Sequence, residues 1–202
     1  MRKSFWLIAP FATWMVLMTV LPATTWAYAV RTAVVALLLL CACCLKGPRS
    51  SISSGKDSAS PLWLSPLLGS VVGLAVFAIW ILPEQFDWAW YRRFCIIGEG
   101  GTQAVAEASA VMIAIRLIGS AFVISVAEEL FFRKWLIGFA GFWPMVALFA
   151  VEHDRWLVAA ICGIAYGWLY LRRGLGAAIV AHATTNLVLG IWVLKTGQWQ
   201  FW

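Results

Sequence analysis

The chain alternates long apolar runs with short polar breaks, a rhythm that suits helices crossing a membrane. Apolar runs occupy about 5–21, 29–45 and 62–82, each close to the roughly 20 residues that span a bilayer as a helix. The first two are expected to be joined by Pro22 and a short turn bearing Arg31. Residues 46–60 are rich in Ser and Gly and carry Lys46, Arg49 and Lys56, so they read as a solvated loop. From Pro83 to Ile97, aromatic residues mix with Glu84, Asp87, Arg92 and Arg93, the composition of a segment lying in the interface. Gly98 to Thr102 then breaks the chain. A fourth span is expected over about 109–137, too long for an upright helix and therefore tilted or protruding. Gly138, Gly141 and Pro144 mark a tight turn, followed by a short segment over about 144–155 and a returning helix over 156–171. Arg172, Arg173 and Gly174 close that helix, and a last span covers about 175–195. The pattern predicts an all-α integral membrane protein, a polytopic bundle of about six to seven transmembrane helices. Its expected organisation is an N-terminal set of helices with an interfacial segment over 1–107, a helical core over 108–196 and a tail over 197–202.

Composition narrows the class. Hydrophobic residues make up 63% and charged residues 12%, against about a quarter charged in soluble domains. A soluble core of this size needs no such apolar excess. The 14 tryptophans suit rings anchored at two lipid–water boundaries. The net charge of +6 comes from scattered basic residues without an aromatic-interleaved stripe, so nucleic acid is not an expected partner. The bilayer is the expected one. Lys and Arg instead indicate orientation, with Arg2, Lys3, Lys46, Arg49, Lys56, Arg172 and Arg173 together on the cytoplasmic side. Arg2-Lys3 and the following apolar run resemble a signal peptide, but the run is long and leads into further spans, so a retained first helix is expected. The five cysteines have no paired metal or disulfide spacing and read as small buried hydrophobes. Gly163 and Gly167 form a G-x-x-x-G pair that permits close helix contact.

Ionisable residues inside apolar helices are costly and ask for partners. Glu128 and Glu129 follow the apolar stretch 121–127, and Arg133 comes four residues after Glu129. On a helix Glu129 and Arg133 share a face in the favourable order, while Glu128 points about 100° away. One carboxylate is then neutralised and the other is left for chemistry. The only histidines, His153 and His182, both fall in apolar stretches, and Asn186 shares a helix face with His182. Counting about 1.5 Å per residue from the turns places Glu128, His153, His182 and Asn186 in one slab of the membrane, where they can meet around a polar cavity. Glu152 and Asp154 flank His153 as further polar candidates.

Three short motifs stand in order: Glu128-Glu129-Leu-Phe-Phe-Arg133, Phe149-Ala-Val-Glu-His153 and His182-Ala-Thr-Thr-Asn186. With them the chain resembles the CPBP family of intramembrane glutamic proteases, which includes the CAAX prenyl endopeptidases. The resemblance covers about residues 110–195. The stretch from His182 onward, with Thr184-Thr185 and Gly197-Gln198-Trp199, also resembles a bacterial CAAX-protease-related subgroup linked to sorting by C-terminal signals. The resemblance implies an endopeptidase acting near the C-terminus of a membrane-associated protein or peptide, in a bacterial inner membrane, with no cofactor. It implies Glu128 and His153 activating water, His182 and Asn186 stabilising an oxyanion, and Glu129, Arg133 and Phe149 in supporting positions.

Two rival readings use the same residues. Glu128, Glu129, His153 and His182 could bind zinc, although no H-E-x-x-H is present and Arg133 beside Glu129 disfavours a dication. Alternatively, the chain could be a non-catalytic scaffold or immunity-type protein of the same fold.

Overall fold

The computed structural model describes residues 2–46, 63–97 and 108–201. The described residues form helices joined by short turns: α1 (Arg2–Val20), α2 (Thr25–Lys46), α3 (Leu64–Gln85), α4 (Ala89–Cys95), α5 (Ala110–Ala140), α6 (Phe142–Val151), α7 (Trp156–Arg173) and α8 (Leu175–Thr196). A 3₁₀ turn over Trp199–Phe201 follows. Four stretches among them are long and apolar enough to cross a bilayer: Thr25–Cys44, Leu64–Gln85, Ala110–Ala140 and Leu175–Thr196. Shorter apolar helices lie at Ser4–Val20 and Phe142–Val151. The protein is an all-α integral membrane protein. The solvated loop expected over 46–60 lies outside the described residues apart from Lys46, the last residue of α2, as does the break expected at 98–102.

Close backbone approach builds the centre of the bundle. Gly69 and Gly73 of α3 face Ala177 and Ala181 of α8, where a Cβ on Gly69 would come within 2.7 Å of the Ala177 carbonyl oxygen. A Cβ on Gly73 would fall on the Ala181 carbonyl oxygen and 2.7 Å from Thr184 Cβ. In lipid, where burial of apolar surface drives no association between helices, such small-residue seams carry the packing. The seam also carries a hydrogen bond, from Thr185 Oγ1 to the Gly73 carbonyl at 2.9 Å. The G-x-x-x-G pair of α7 packs differently, with Gly163 against Phe149 and Gly167 against Met145 and Phe142. We expect Gly73→Val to force α3 and α8 apart, at a cost of about 1–3 kcal/mol or more. Gly138→Ala, which meets nothing within 4 Å, serves as the control. Thermal unfolding in detergent should show a clear drop for the first variant alone.

Some details depart from the sequence reading. Arg31 does not sit in a turn: α2 begins at Thr25, and Arg31 is buried inside it with its guanidinium 5.6 Å from the Trp14 ring. Cys41, Cys43 and Cys44 are exposed along α2, whereas Cys95 and Cys162 are buried. A cysteine facing hydrocarbon and one facing protein look alike in sequence, because both surroundings are apolar. The turn between α5 and α6 is set by Gly141, whose φ of 96° favours glycine. The expected tail folds back as the 3₁₀ turn and buries Phe201.

One end of the bundle carries the α1–α2 turn, α4, the α6–α7 connection and the 3₁₀ turn. There Arg155 Nε pairs with Glu84 Oε1 at 2.5 Å, Arg92 pairs with Asp87, and Ile97 N–H donates to the Asp154 carbonyl at 2.7 Å. These contacts clamp the α6–α7 connection, and with it His153, onto α3 and α4.

Candidate active site

Helix α5 is continuous but not uniformly α-helical. Gly119–Ile124 and Glu129–Leu136 wind as π-helix on either side of a single α-turn, Ser125–Glu128. The wider π-turn rephases the side chains that follow it, and such turns are frequent at functional sites. Here the change of winding falls between Glu128 and Glu129. Glu129 turns into the protein and Glu128 into a cavity.

Glu129 and Arg133 are both wholly buried, with Arg133 NH1 3.0 Å from Glu129 Oε1. The guanidinium is boxed by aromatic rings, 4.4 Å from the Phe149 centroid, 5.3 Å from Tyr166 and 5.8 Å from Phe132. Rings at these distances stabilise the cation through their quadrupoles. The same Glu129 oxygen lies 2.8 Å from His182 Nδ1. A carboxylate held by arginine can only accept, so Nδ1–H donates and Nε2 is the ring nitrogen turned to the cavity. His182 Nε2 stands 3.8 Å from Glu128 Oε2, beyond hydrogen-bond reach. Glu128 Oε2 has no hydrogen-bond partner among the described residues.

The F-x-x-x-H stretch places its histidine by a backbone bond. His153 Nδ1 lies 2.7 Å from the Phe149 carbonyl oxygen, one turn back, and therefore donates to it. The ring also sits edge-on to Trp80, with centroids 5.8 Å apart. Asn186 Nδ2 donates to the Ser120 carbonyl at 3.0 Å. That carbonyl belongs to a π-helical stretch, where the normal ladder is disturbed.

Glu128, His153, His182 and Asn186 thus come from α5, the α6–α7 connection and α8, and all four line one cavity of about 190 Å³. That volume holds several waters or a small piece of extended chain. Phe149 lines it too, while Glu129 and Arg133 lie behind its wall. Glu152 and Asp154 do not line it, and Asp154 is exposed.

The sequence reading missed several lining residues. Tyr166 stacks on the His182 ring at 5.0 Å and 22°, and its hydroxyl donates to Thr185 Oγ1 at 2.6 Å. Thr185 passes the chain on to the Gly73 carbonyl, so the glycine seam and the His182 ring share one support. A tyrosine inside an apolar helix needs a partner for its hydroxyl, and that was the available signal. Trp80 and Phe201 gave none, because they reach the cavity from distant segments. Among the described residues, no three His, Cys, Asp or Glu side chains are grouped to hold a metal ion.

Compared with known proteins, residues 110–188 match the model of the Rce1-like family, described as type II CAAX prenyl endopeptidase Rce1-like. No curated protein and no solved structure matches the chain significantly. The matched region runs from the start of α5 into α8 and contains every residue of the three motifs.

Proposed function

We propose that this membrane protein, whose residues 110–188 match the model of the Rce1-like type II CAAX prenyl endopeptidases, is an active glutamic endopeptidase cutting a membrane-associated protein or peptide near its C-terminus. One observation carries the reading: Glu128, His153, His182 and Asn186, from three separate segments, line a single cavity.

In this reading Glu128 takes a proton from a water that His153 Nε2 also orients, and the resulting hydroxide adds to the scissile carbonyl carbon. The carbonyl oxygen becomes an oxyanion, stabilised by donors from His182 Nε2 and Asn186 Nδ2. The tetrahedral intermediate collapses by breaking its C–N bond, and the proton on Glu128 passes to the departing amine.

Arg133, Glu129, His182 and Glu128 follow one another along a line of contacts at 3.0, 2.8 and 3.8 Å, the mutual pairing that a low-dielectric interior asks of its ionisable groups. The site is proposed to lie in a bacterial inner membrane, with the amino terminus and the Arg172-Arg173 end in the cytoplasm.

The test is direct. Purified wild type should release a C-terminal fragment from membrane-anchored peptides in detergent, read by mass spectrometry, and should do so without added metal. Intact peptide after prolonged incubation across a varied peptide panel would favour a scaffold of the same fold.

A further inference from the structure

Three of the apolar residues that line the cavity lie outside the matched residues 110–188: Trp80 of α3, Leu189 of α8 and Phe201 of the 3₁₀ turn. They gather at one place. Leu189 and Phe201 are buried in a single cluster, and Trp80 packs against it. Leu189 comes three residues after Asn186 and seven after His182, so one face of α8 carries both donors and then this cluster. The Trp80 ring stands edge-on to His153, with centroids 5.8 Å apart. The cluster is therefore an apolar end of the cavity, next to the histidine.

Phe201 is the unusual member, because a residue past the last helix reaches the site only where the chain doubles back. Gly197 ends α8 with a φ of 69°, the left-handed cap that turns a chain out of its helix. Gln85 Nε2 then donates to Gln198 Oε1 at 2.6 Å, fastening the turn to the end of α3. The Arg155 guanidinium lies 4.8 Å from the Phe201 ring centroid, and Arg155 is itself held by Glu84 at 2.5 Å. With its ring 6% exposed and held in this way, Phe201 is a wall of the cavity rather than a loose end.

We propose that Phe201 is a specificity-determining residue, which with Trp80 and Leu189 forms a subsite for a small apolar side chain beside the bond that is cut. The inference rests on the protease reading and names what that site accepts. The two residues flanking a peptide bond have Cα atoms about 3.8 Å apart. With the bond held at His153, a flanking side chain comes against the Trp80 ring. The cavity of about 190 Å³ is shared by the attacking water, the peptide group and that side chain. Room remains for a small side chain, whereas an indole meets the Phe201 ring.

The experiment uses the full chain in detergent and a series of membrane-anchored peptides. Each residue near the peptide C-terminus is replaced in turn by alanine or by tryptophan. Mass spectrometry reports which bond is cut and at what rate, and the shift in thermal unfolding reports binding. The wild type should prefer alanine to tryptophan about tenfold or more at a residue flanking the cut bond, the scale on which apolar pockets discriminate by size. Phe201→Ala should accept tryptophan there nearly as well as alanine, with the alanine peptide little changed. Phe201→Leu keeps the wall apolar with a shorter reach and should fall between the two, which covers a Phe201→Ala protein that fails to fold. A wild type without size preference overturns the subsite, as does a preference that Phe201→Leu retains in full. Binding with the size preference but without hydrolysis would remove the protease reading and leave the subsite as a peptide-binding pocket. Hydrolysis without the size preference would do the reverse.

Discussion

Glu128→Gln is expected to reduce peptide hydrolysis by about 10²–10⁴-fold, the usual contribution of a positioned acid–base group, while the protein unfolds at the wild-type temperature. Glu128 lines the cavity and its Oε2 has no hydrogen-bond partner among the described residues, so an amide of the same shape disturbs little packing. Glu129→Gln should behave in the opposite way. It removes the carboxylate that holds Arg133 at 3.0 Å and His182 at 2.8 Å. A wholly buried guanidinium left without its counter-ion costs about 3–5 kcal/mol, so expression and thermal stability should fall. Activity should fall as well, because the His182 ring loses the contact that aims Nε2 at the cavity. Initial rates and unfolding curves on the two variants separate these outcomes. Full activity in a stable Glu128→Gln protein would remove Glu128 from the role of base.

The contrast between these adjacent glutamates shows what the sequence could and could not reveal. An ionisable residue in an apolar helix is rare enough to be noticed singly, so Glu128, Glu129, Arg133, His153 and His182 stood out. Helical spacing then paired Glu129 with Arg133. What spacing could not supply was the third partner, His182, because that contact crosses from α5 to α8. The π-turns were also invisible, since no residue type marks them. Helix existence followed from apolar length, but packing did not. Gly69 and Gly73 make a close seam against α8, yet their spacing is the same as that of Gly163 and Gly167, so spacing alone does not tell the two pairs apart. Arg31 was misplaced because a charge near Pro22 resembles a loop, while the burial that marks it depends on Trp14 of another helix.

The cavity wall formed by α8 should distinguish a glutamic mechanism from a zinc-dependent one. If His182 and Asn186 donate to an oxyanion, Asn186→Ala should lower kcat by about a hundredfold or more, the usual effect of removing one such donor. KM should change little, because the oxyanion forms only on the way to the transition state. Asn186→Asp, which forfeits the donor at constant size, should be as slow as Asn186→Ala; both lose the 3.0 Å bond to the Ser120 carbonyl, and their unfolding curves report that structural effect separately from the rates. His182→Gln, which retains an N–H donor, should keep more activity than His182→Ala. A zinc ligand predicts another pattern: both His182 variants would lose the ion, and chelators would inactivate the wild type. Initial rates for the wild type and these four variants, with and without chelator, decide between them. Chelator-sensitive wild-type activity that zinc restores would overturn the glutamic mechanism.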